Sequence, residues 1–341
     1  MSFRYIGSKA RVALAIVDEI GPPTSGSRFV DGFCGTGAVS SMALSRGWRR
    51  FLINDTLLSA GLIAAARLTS QSDAPFLVAG GYESILGHLN SIPGSEGFVA
   101  RTYSPLSSES CEVERRYFTV ENAARIDAIR LEIERLLRTE TITRTEYRLL
   151  IADLLLASNR IANTAGTYGC FLRDWTEIAL RPIHLQPQKL SSDRTTVEIQ
   201  IGDVEGMSSK SSDVVYLDPP YTKRQYAAYY HILETVAYGD NPDVSGVTGL
   251  RPWRSKASKY CYSRLAQAAI TNLLLSLEAR QIYMSYSTDG FVNLDELLET
   301  LIAKGERAEL RSIREIGRYR PNEKAGRRKV VEEWLLTIDR T

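Results

Sequence analysis

Four consecutive residues, Asp218, Pro219, Pro220 and Tyr221, follow a short and wholly apolar segment at 214–217. The two prolines stiffen the chain and remove two backbone N–H donors. The remaining groups are acceptors, namely the Asp218 carboxylate and nearby main-chain carbonyls, beside the aromatic face of Tyr221. Such a set matches an exocyclic amine, which offers two N–H donors, on a planar base that can stack on the ring. The alternative interpretation is a proline-bounded turn with an exposed aspartate.

A second chemical pattern is a loop that places Gly32, Gly35 and Gly37 between a predicted strand and a predicted helix. Glycines there permit a tight turn and a close approach of a ligand to the backbone. The spacing is G-x-x-G-x-G, and Asp31 next to it would repel a pyrophosphate but hold an ammonium group. Asp55 follows 18 residues after Gly37, where a carboxylate commonly binds ribose hydroxyls. An ordinary strand–helix turn is the alternative.

The elements that must position these residues alternate between strand and helix patterns at both ends of the chain. Apolar runs predict strands at 28–31, 51–54, 197–201, 214–217, 282–286 and 331–338, and helices at 38–45 and about 265–279. Between them, apolar residues recur at helical spacing, as at Ile126, Ile129 and Ile133. We therefore predict an α/β domain formed by residues 1–68 and 189–341, interrupted by a mainly helical insertion at 69–188.

Composition excludes several classes of protein. The 341 residues are 44% hydrophobic, and 42 Lys and Arg against 40 Asp and Glu give a net charge of +2, so bulk charge indicates no partner. The four cysteines form no C-x-x-C pair and the three histidines are scattered, which predicts no metal site and a reduced, cytoplasmic protein. The apolar run at 12–17 is too short for a signal peptide or a membrane span.

Basic and aromatic residues alternate in the segments after residue 221. We predict that these segments contact nucleic-acid phosphates or stack on bases through Lys223, Arg224, Tyr226, Arg251 and Arg254. Residues 304–329 add ten basic residues against four glutamates, and we predict that Arg327, Arg328 and Lys329 contact phosphates from a loop or hairpin. The alternative for every one of these runs is a solvated charged face.

Together these motifs resemble the Dam-like class of DNA adenine-N6 methyltransferases. The resemblance is carried by Arg4-Tyr-Ile-Gly-Ser-Lys9, the loop at 31–37, Asn54-Asp55 and the D-P-P-Y residues, in the family's order. It implies a Rossmann-like sheet that binds S-adenosylmethionine, with the helical insertion recognising duplex DNA. A cognate restriction endonuclease acting separately is a partner found with such enzymes. Cytosine-C5 chemistry, which usually uses a Pro-Cys pair, does not fit because no Pro-Cys occurs.

The resemblance also assigns individual residues. Asp31 would lie near the methionine part of the cofactor, Asp55 at its ribose, and Asp203 at its adenine. Cofactor contacts are thus expected from Tyr5, Lys9, Asp31, Gly32, Gly35, Gly37, Asp55 and Asp203. Asp218, Pro219 and Tyr221 would form the pocket for the target adenine. In the insertion, Asn163 and Arg173 are candidates for hydrogen bonds to base edges.

Two other functions remain open at this stage. D-P-P-Y also occurs in enzymes that modify exocyclic amines of ribosomal RNA bases, although the long insertion favours DNA. A catalytically idle DNA-binding subunit could keep the same fold, but such a subunit has no need of both an intact glycine loop and an intact D-P-P-Y.

Overall fold

The computed structural model describes Gly7, residues 9–317 and residues 330–341. Their strands form one seven-stranded sheet in the order β3-β2-β1-β4-β5-β7-β6. The pairings of β7 with β5 and with β6 are antiparallel, and the other pairings among these strands are parallel. The strands are β1 (Phe29–Asp31), β2 (Arg50–Asp55), β3 (Thr196–Ile201), β4 (Val214–Leu217), β5 (Gln281–Ser287), β6 (Arg307–Gly317) and β7 (Val330–Asp339). The predicted Rossmann-like sheet is confirmed.

Helices cover both faces of this sheet, as parallel strands require. On one face α1 (Ala13–Ile20), α2 (Ala38–Ser45) and α3 (Leu58–Leu68) pack on Phe29, Phe51 and Tyr216. On the other face α10 (Ser263–Ser276) and α11 (Leu294–Ala303) pack on alternate residues of the same strands, such as Val30 and Leu52. The period-2 alternation of the strand side chains thus separates two apolar layers.

The insertion is mainly helical, as predicted. Its helices are α4 (Tyr82–Ser91), α5 (Phe98–Tyr103), α6 (Val120–Arg138) and α7 (Arg144–Ile161). Thr143 and Glu146 form a reciprocal capping box that fixes the start of α7. The apolar faces of these four helices share one continuous core with α3 and with α9 (His231–Tyr238). Helix α9 follows the short α8 (Tyr226–Tyr229). The insertion is therefore packed directly against the helix that follows the D-P-P-Y segment.

Strand β6 was not predicted, because residues 304–329 were interpreted by their charge, with a loop or hairpin expected at 318–329. Among the described strands it lies at the edge of the sheet and pairs only with β7. Arg307, Glu309 and Arg311 alternate with Ala308 and Leu310, which is the pattern of a half-solvated edge strand. That alternation is the signal that could have identified it. Within the ranges given above, no helix is long and apolar enough to cross a membrane.

Candidate functional site

One cavity lies at the carboxyl ends of the central parallel strands. The sheet order reverses between β1 and β4, and open α/β sheets bind ligands in the crevice outside such a switch point. Asp31 ends β1, Asp55 ends β2, and Asp218 follows β4 directly, so three carboxylates meet there. Of the predicted residues, the cavity is lined by Lys9, Asp31, Gly35, Asp55, Asp203, Asp218, Pro219, Tyr221 and Tyr226.

The three glycines of the loop have different physical reasons to be glycine. Gly35 and Gly37 adopt φ of +48° and +71°, which other residues rarely adopt. A Cβ on Gly37 would also lie 2.8 Å from the Cα of Ala64 in α3. A Cβ on Gly32 would lie 2.6 Å from Cδ2 of Leu217 in β4. Gly32 and Gly37 thus serve close packing of the elements around the cavity, in addition to the tight turn that was predicted.

This packing predicts that substitution by alanine costs more stability at Gly37 than at a glycine of similar φ without close neighbours. Gly37→Ala should destabilise the fold by about 1–2 kcal/mol from backbone strain, plus about 1–3 kcal/mol from overpacking against Ala64. Gly246 has φ +70° with nothing within 4 Å of its added Cβ, so Gly246→Ala should carry only the strain. Urea unfolding of both variants measures the difference. Equal losses would contradict the packing role of Gly37.

Asp31 is buried at the base of the cavity. Its Oδ2 accepts a hydrogen bond from the Ser40 hydroxyl at 2.5 Å. Its Oδ1 has no hydrogen-bond partner of normal geometry among the described residues. Burial raises the pKa of Asp31 to about 7, against the opposing effect of the Ser40 bond. A buried carboxylate oxygen without a donor is a strong acceptor for an incoming cationic N–H group.

Asp55 and Asp203 occupy the neighbouring wall. The two Asp55 oxygens accept bonds from the backbone N–H groups of Gly35 and Leu57, each at 2.9 Å. Burial nevertheless raises its pKa to about 6. Each carboxylate oxygen has a second lone pair, so Asp55 can still accept from a ligand hydroxyl. Asp203 is exposed at the rim and accepts from the Glu205 amide at 3.2 Å.

Another part of the cavity wall comes from the D-P-P-Y segment, which leaves β4, the neighbour of β1 in the sheet, with Pro219 buried and Asp218 partly accessible. Asp218 Oδ1 lies 3.2 Å from Lys9 Nζ and 3.5 Å from the Ser285 hydroxyl. Burial raises the pKa of Asp218 to about 6, although Lys9 opposes that rise. The Tyr221 ring packs edge-on against Tyr286 with centroids 6.0 Å apart. This wall therefore combines an acceptor and an aromatic ring, as predicted from the motif.

Lys9 lines the cavity, and its predicted role in closing the cofactor pocket stays a prediction. Its ammonium is buried between Asp218 and Glu333 of β7, with the Tyr221 ring 5.5 Å away. Burial alone would lower the pKa of Lys9, but the two carboxylates outweigh it and raise the pKa. Sequence reasoning missed Glu333. A charged residue on the same strand face as the buried Leu335 was the available signal.

A segment at 254–262 covers the cavity and was not assigned to it from the sequence. The Gln225 side chain exchanges hydrogen bonds with the backbone of Ser258, at 2.8 and 3.0 Å. Lys256 bonds Glu234 at 2.6 Å, and Glu234 in turn accepts from the backbone of α3. Tyr260 packs edge-on against Phe33 of the glycine loop, with centroids 5.3 Å apart. The segment thus ties the D-P-P-Y side of the cavity to the glycine-loop side.

The predicted nucleic-acid contacts divide into two groups. Lys223, Arg224 and Arg254 are exposed beside the cavity-lining segments, in keeping with the prediction. Arg251 is not available in this way, because its guanidinium makes two bonds to Asp240 and is only 12% exposed. Its phosphate contact stays a prediction, which the ion pair with Asp240 disfavours. Tyr226 lies in the cavity wall, stacked on Tyr230, and not on an outer surface.

In the insertion, Arg173 is exposed but Asn163 is wholly buried. The Asn163 amide donates to the carbonyls of Leu172 and Asp174 and accepts from the Thr176 amide. Asn163 therefore braces its loop, and the prediction that it reads base edges is wrong. Four predicted residues lie outside the described part of the chain, namely Tyr5, Arg327, Arg328 and Lys329.

Comparison with known proteins gives consistent relatives. The type II methyltransferase M.FokI of Planomicrobium okeanokoites is 33% identical over 307 residues, which are 88% of this chain and 46% of that protein. This chain therefore spans about half the length of that relative. Type II methyltransferase M.NlaIII of Neisseria lactamica is 32% identical over 86% of each protein. A solved rRNA methyltransferase, AviRa of Streptomyces viridochromogenes, covers 84% of this chain and 76% of its own, at 15% identity and a TM-score of 0.27.

The family profile extends over nearly the whole chain. It is described as D12 class N6 adenine-specific DNA methyltransferase and matches residues 5–296. The match includes the glycine loop, the insertion and the D-P-P-Y segment whose carboxylates meet in the cavity. The chain belongs to this family of D12 class N6 adenine-specific DNA methyltransferases.

Proposed function

We propose that this chain transfers the methyl group of S-adenosylmethionine to the N6 amine of an adenine flipped out of duplex DNA, at a specific sequence. The observation that carries the proposal is a single cavity with two chemically distinct walls. We call the carboxylates of Asp31 and Asp55 the first wall, and the acceptors and ring of the D-P-P-Y segment the second wall. Residues of both groups line the same cavity. The names of its type II relatives support a place in a restriction-modification system.

The chemistry of the first wall fits S-adenosylmethionine. Asp31 presents a buried oxygen without a donor, which suits the ammonium group of the methionine part. Asp55 would accept from ribose hydroxyls, and Asp203 at the rim would accept from the amine of the cofactor's adenine. When bound, the cofactor supplies an electrophilic methyl group on a sulfonium. The residues of the first wall would bind and orient the cofactor. The residues of the second wall would position the target amine.

On the second wall, Asp218 would make the exocyclic amine of the target adenine a better nucleophile. An exocyclic amine shares its lone pair with the ring, and acceptors on its two N–H bonds pull the nitrogen toward tetrahedral geometry. Asp218 would accept one bond and the Pro219 carbonyl the other. Holding the amine in line for transfer supplies much of the rate gain. Stacking of the flipped base on Tyr221 offsets part of the unstacking cost, a few kcal/mol.

The proposal is tested with isotopically labelled S-adenosylmethionine offered to duplex DNA and to ribosomal RNA. We expect the label in DNA, where it is recovered as N6-methyl-2′-deoxyadenosine after digestion to nucleosides. Label in RNA alone would favour the second function considered above, a ribosomal RNA methyltransferase. No label in either would favour an idle DNA-binding subunit, provided that the protein is folded and binds duplex DNA.

The exposed cations beside the cavity give a separate prediction. Replacing both Lys223 and Arg224 with Gln should weaken binding to every duplex equally and reduce the slope of log affinity against log salt by up to ~0.9 per lost phosphate contact. Sequence preference should persist, because phosphate contacts position the protein without reading bases. Fluorescence anisotropy with cognate and scrambled duplexes over a salt series measures both quantities.

A matched control removes the same charge from the side of the sheet where the strands begin, opposite the carboxyl ends that carry the cavity. Arg194 and Lys210 are exposed and precede β3 and β4, whose carboxyl ends carry the cavity. Replacing both with Gln should leave the salt slope unchanged. A slope that shifts equally in the two variants would show that Lys223 and Arg224 act only through overall charge. The phosphate contacts predicted for Arg327, Arg328 and Lys329 can be tested in the same series.

A further inference from the structure

We propose that Glu333 is a positioning residue for methyl transfer, which holds the Lys9 ammonium so that it engages one oxygen of Asp218 and leaves the other for the target amine. This inference rests on the proposed function. It concerns a contact that joins the two ends of the chain, 324 residues apart. Glu333 lies in β7, far in sequence from every motif that predicted the site.

The geometry defines which partner anchors Lys9. The Lys9–Glu333 ion pair is also a hydrogen bond between two buried side chains. Asp218 lies farther away, because its Oδ1 is 3.2 Å from Lys9 Nζ. Within the described part of the chain, the Ser285 contact at 3.5 Å is also to Oδ1. Both of these contacts are to Oδ1, so neither uses the lone pairs of Oδ2, and Asp218 lines the cavity.

The charges explain why a third group is needed. A buried ammonium facing Asp218 alone would seek as many carboxylate oxygens as it could reach, because charge-assisted hydrogen bonds are the strongest available. It would then compete with the N–H donors of the target amine for the same acceptor. Glu333 supplies a competing carboxylate on the rigid sheet, whereas Lys9 sits on a three-residue 3-10 turn, Lys9–Arg11. Rigid outer contacts of this kind fix a site to within a fraction of an ångström.

A double-mutant cycle tests whether Glu333 acts through Lys9. Glu333→Gln should lower the single-turnover rate of methyl transfer roughly ten- to one hundred-fold, with S-adenosylmethionine affinity by calorimetry within about threefold of wild type. In a Lys9→Met background, which has no ammonium to position, the same change should have little further effect. Glu333→Asp, which keeps the charge, should recover part of the rate. The neighbouring Glu332→Gln, on the opposite face of β7, should match wild type.

A second readout depends on charge and not on turnover. The negative charge of Glu333 raises the pKa of Asp218, so Glu333→Gln should lower that pKa and move the acidic limb of the rate profile to lower pH. Carboxyl NMR titration of labelled aspartate, assigned with Asp218→Asn, follows the same shift without any substrate. The other titratable groups that face Asp218 are Lys9, Asp31, Tyr216 and Tyr226.

The outcomes separate this inference from the proposed function. The wild-type protein is assayed first, and the nucleic acid that it methylates becomes the substrate for the cycle, so transfer to RNA would overturn the proposed function alone. If wild type transfers nothing, the NMR titration decides, and an unmoved Asp218 pKa in Glu333→Gln overturns the inference. Equal losses from Glu333→Gln in both backgrounds would also overturn it, as would a rate within twofold of wild type.

Discussion

Asp218→Ala should abolish measurable methyl transfer while S-adenosylmethionine affinity stays within a few-fold of wild type. The carboxylate belongs to the D-P-P-Y segment and lies 3.2 Å from Lys9, whereas the carboxylates proposed for the cofactor, Asp31 and Asp55, end β1 and β2. Removing one preorganised group that acts on the reacting centre typically costs ~10²- to 10³-fold in rate. Here the same change also leaves Lys9 facing the amine, where an ammonium repels developing positive charge.

Single-turnover transfer and calorimetry separate the two effects. Asp243 is exposed and is not among the residues that line the cavity, so Asp243→Ala serves as the control and should behave as wild type. A comparable loss of cofactor affinity in Asp218→Ala would move Asp218 from the target side to the cofactor side. Transfer at more than a tenth of the wild-type rate would contradict its role as the acceptor.

Asp31→Asn should have the opposite profile and act mainly on cofactor binding. It removes a charged hydrogen bond worth ~1.5–3 kcal/mol, so affinity should fall roughly ten- to over one hundred-fold. The amide matches the carboxylate in size, which limits packing changes around this buried position. Asp18→Asn, on the solvent side of α1 where Asp18 is 51% exposed, should leave affinity unchanged. Calorimetric titration with S-adenosylmethionine measures both variants.

The pH dependence of cofactor affinity follows from the same residue. Burial raises the pKa of Asp31 to about 7, so falling pH protonates the carboxylate and removes the charge that attracts the ammonium. Wild-type affinity should therefore weaken as pH falls from 8 to 6. Asp31→Asn should lose most of this dependence and retain a smaller part from Asp55, whose pKa is raised to about 6. An equally steep dependence in Asp31→Asn would exclude Asp31 as the titrating group.

Much of the fold could be predicted from local sequence. The prediction for α2 matched Ala38–Ser45, and β4 matched Val214–Leu217, because short apolar runs bounded by glycine, proline or aspartate have few alternatives. Motifs that follow parallel strands must meet at one edge of the sheet. The meeting of Asp31, Asp55 and Asp218 in one cavity therefore followed from the topology.

The parts that could not be predicted depend on long-range partners. Nothing adjacent to Arg251 indicates that Asp240 neutralises it, and nothing adjacent to Asn163 indicates that its amide is consumed by carbonyls nine and eleven residues later. The Lys9–Glu333 contact spans nearly the whole chain. Charge and polarity suggested surface roles for Arg251 and Asn163, and only the packing shows that their donors are already used.

The identity and sequence context of the base that this chain modifies test the proposed function directly. Single-molecule sequencing of DNA from cells that express it reports both, with the Asp218→Ala variant as the background. We expect N6-methyladenine at one short sequence context in the wild type and none above background in the variant. Unmodified adenine throughout the genome, or a modification found on cytosine, would contradict adenine-N6 methylation by this chain.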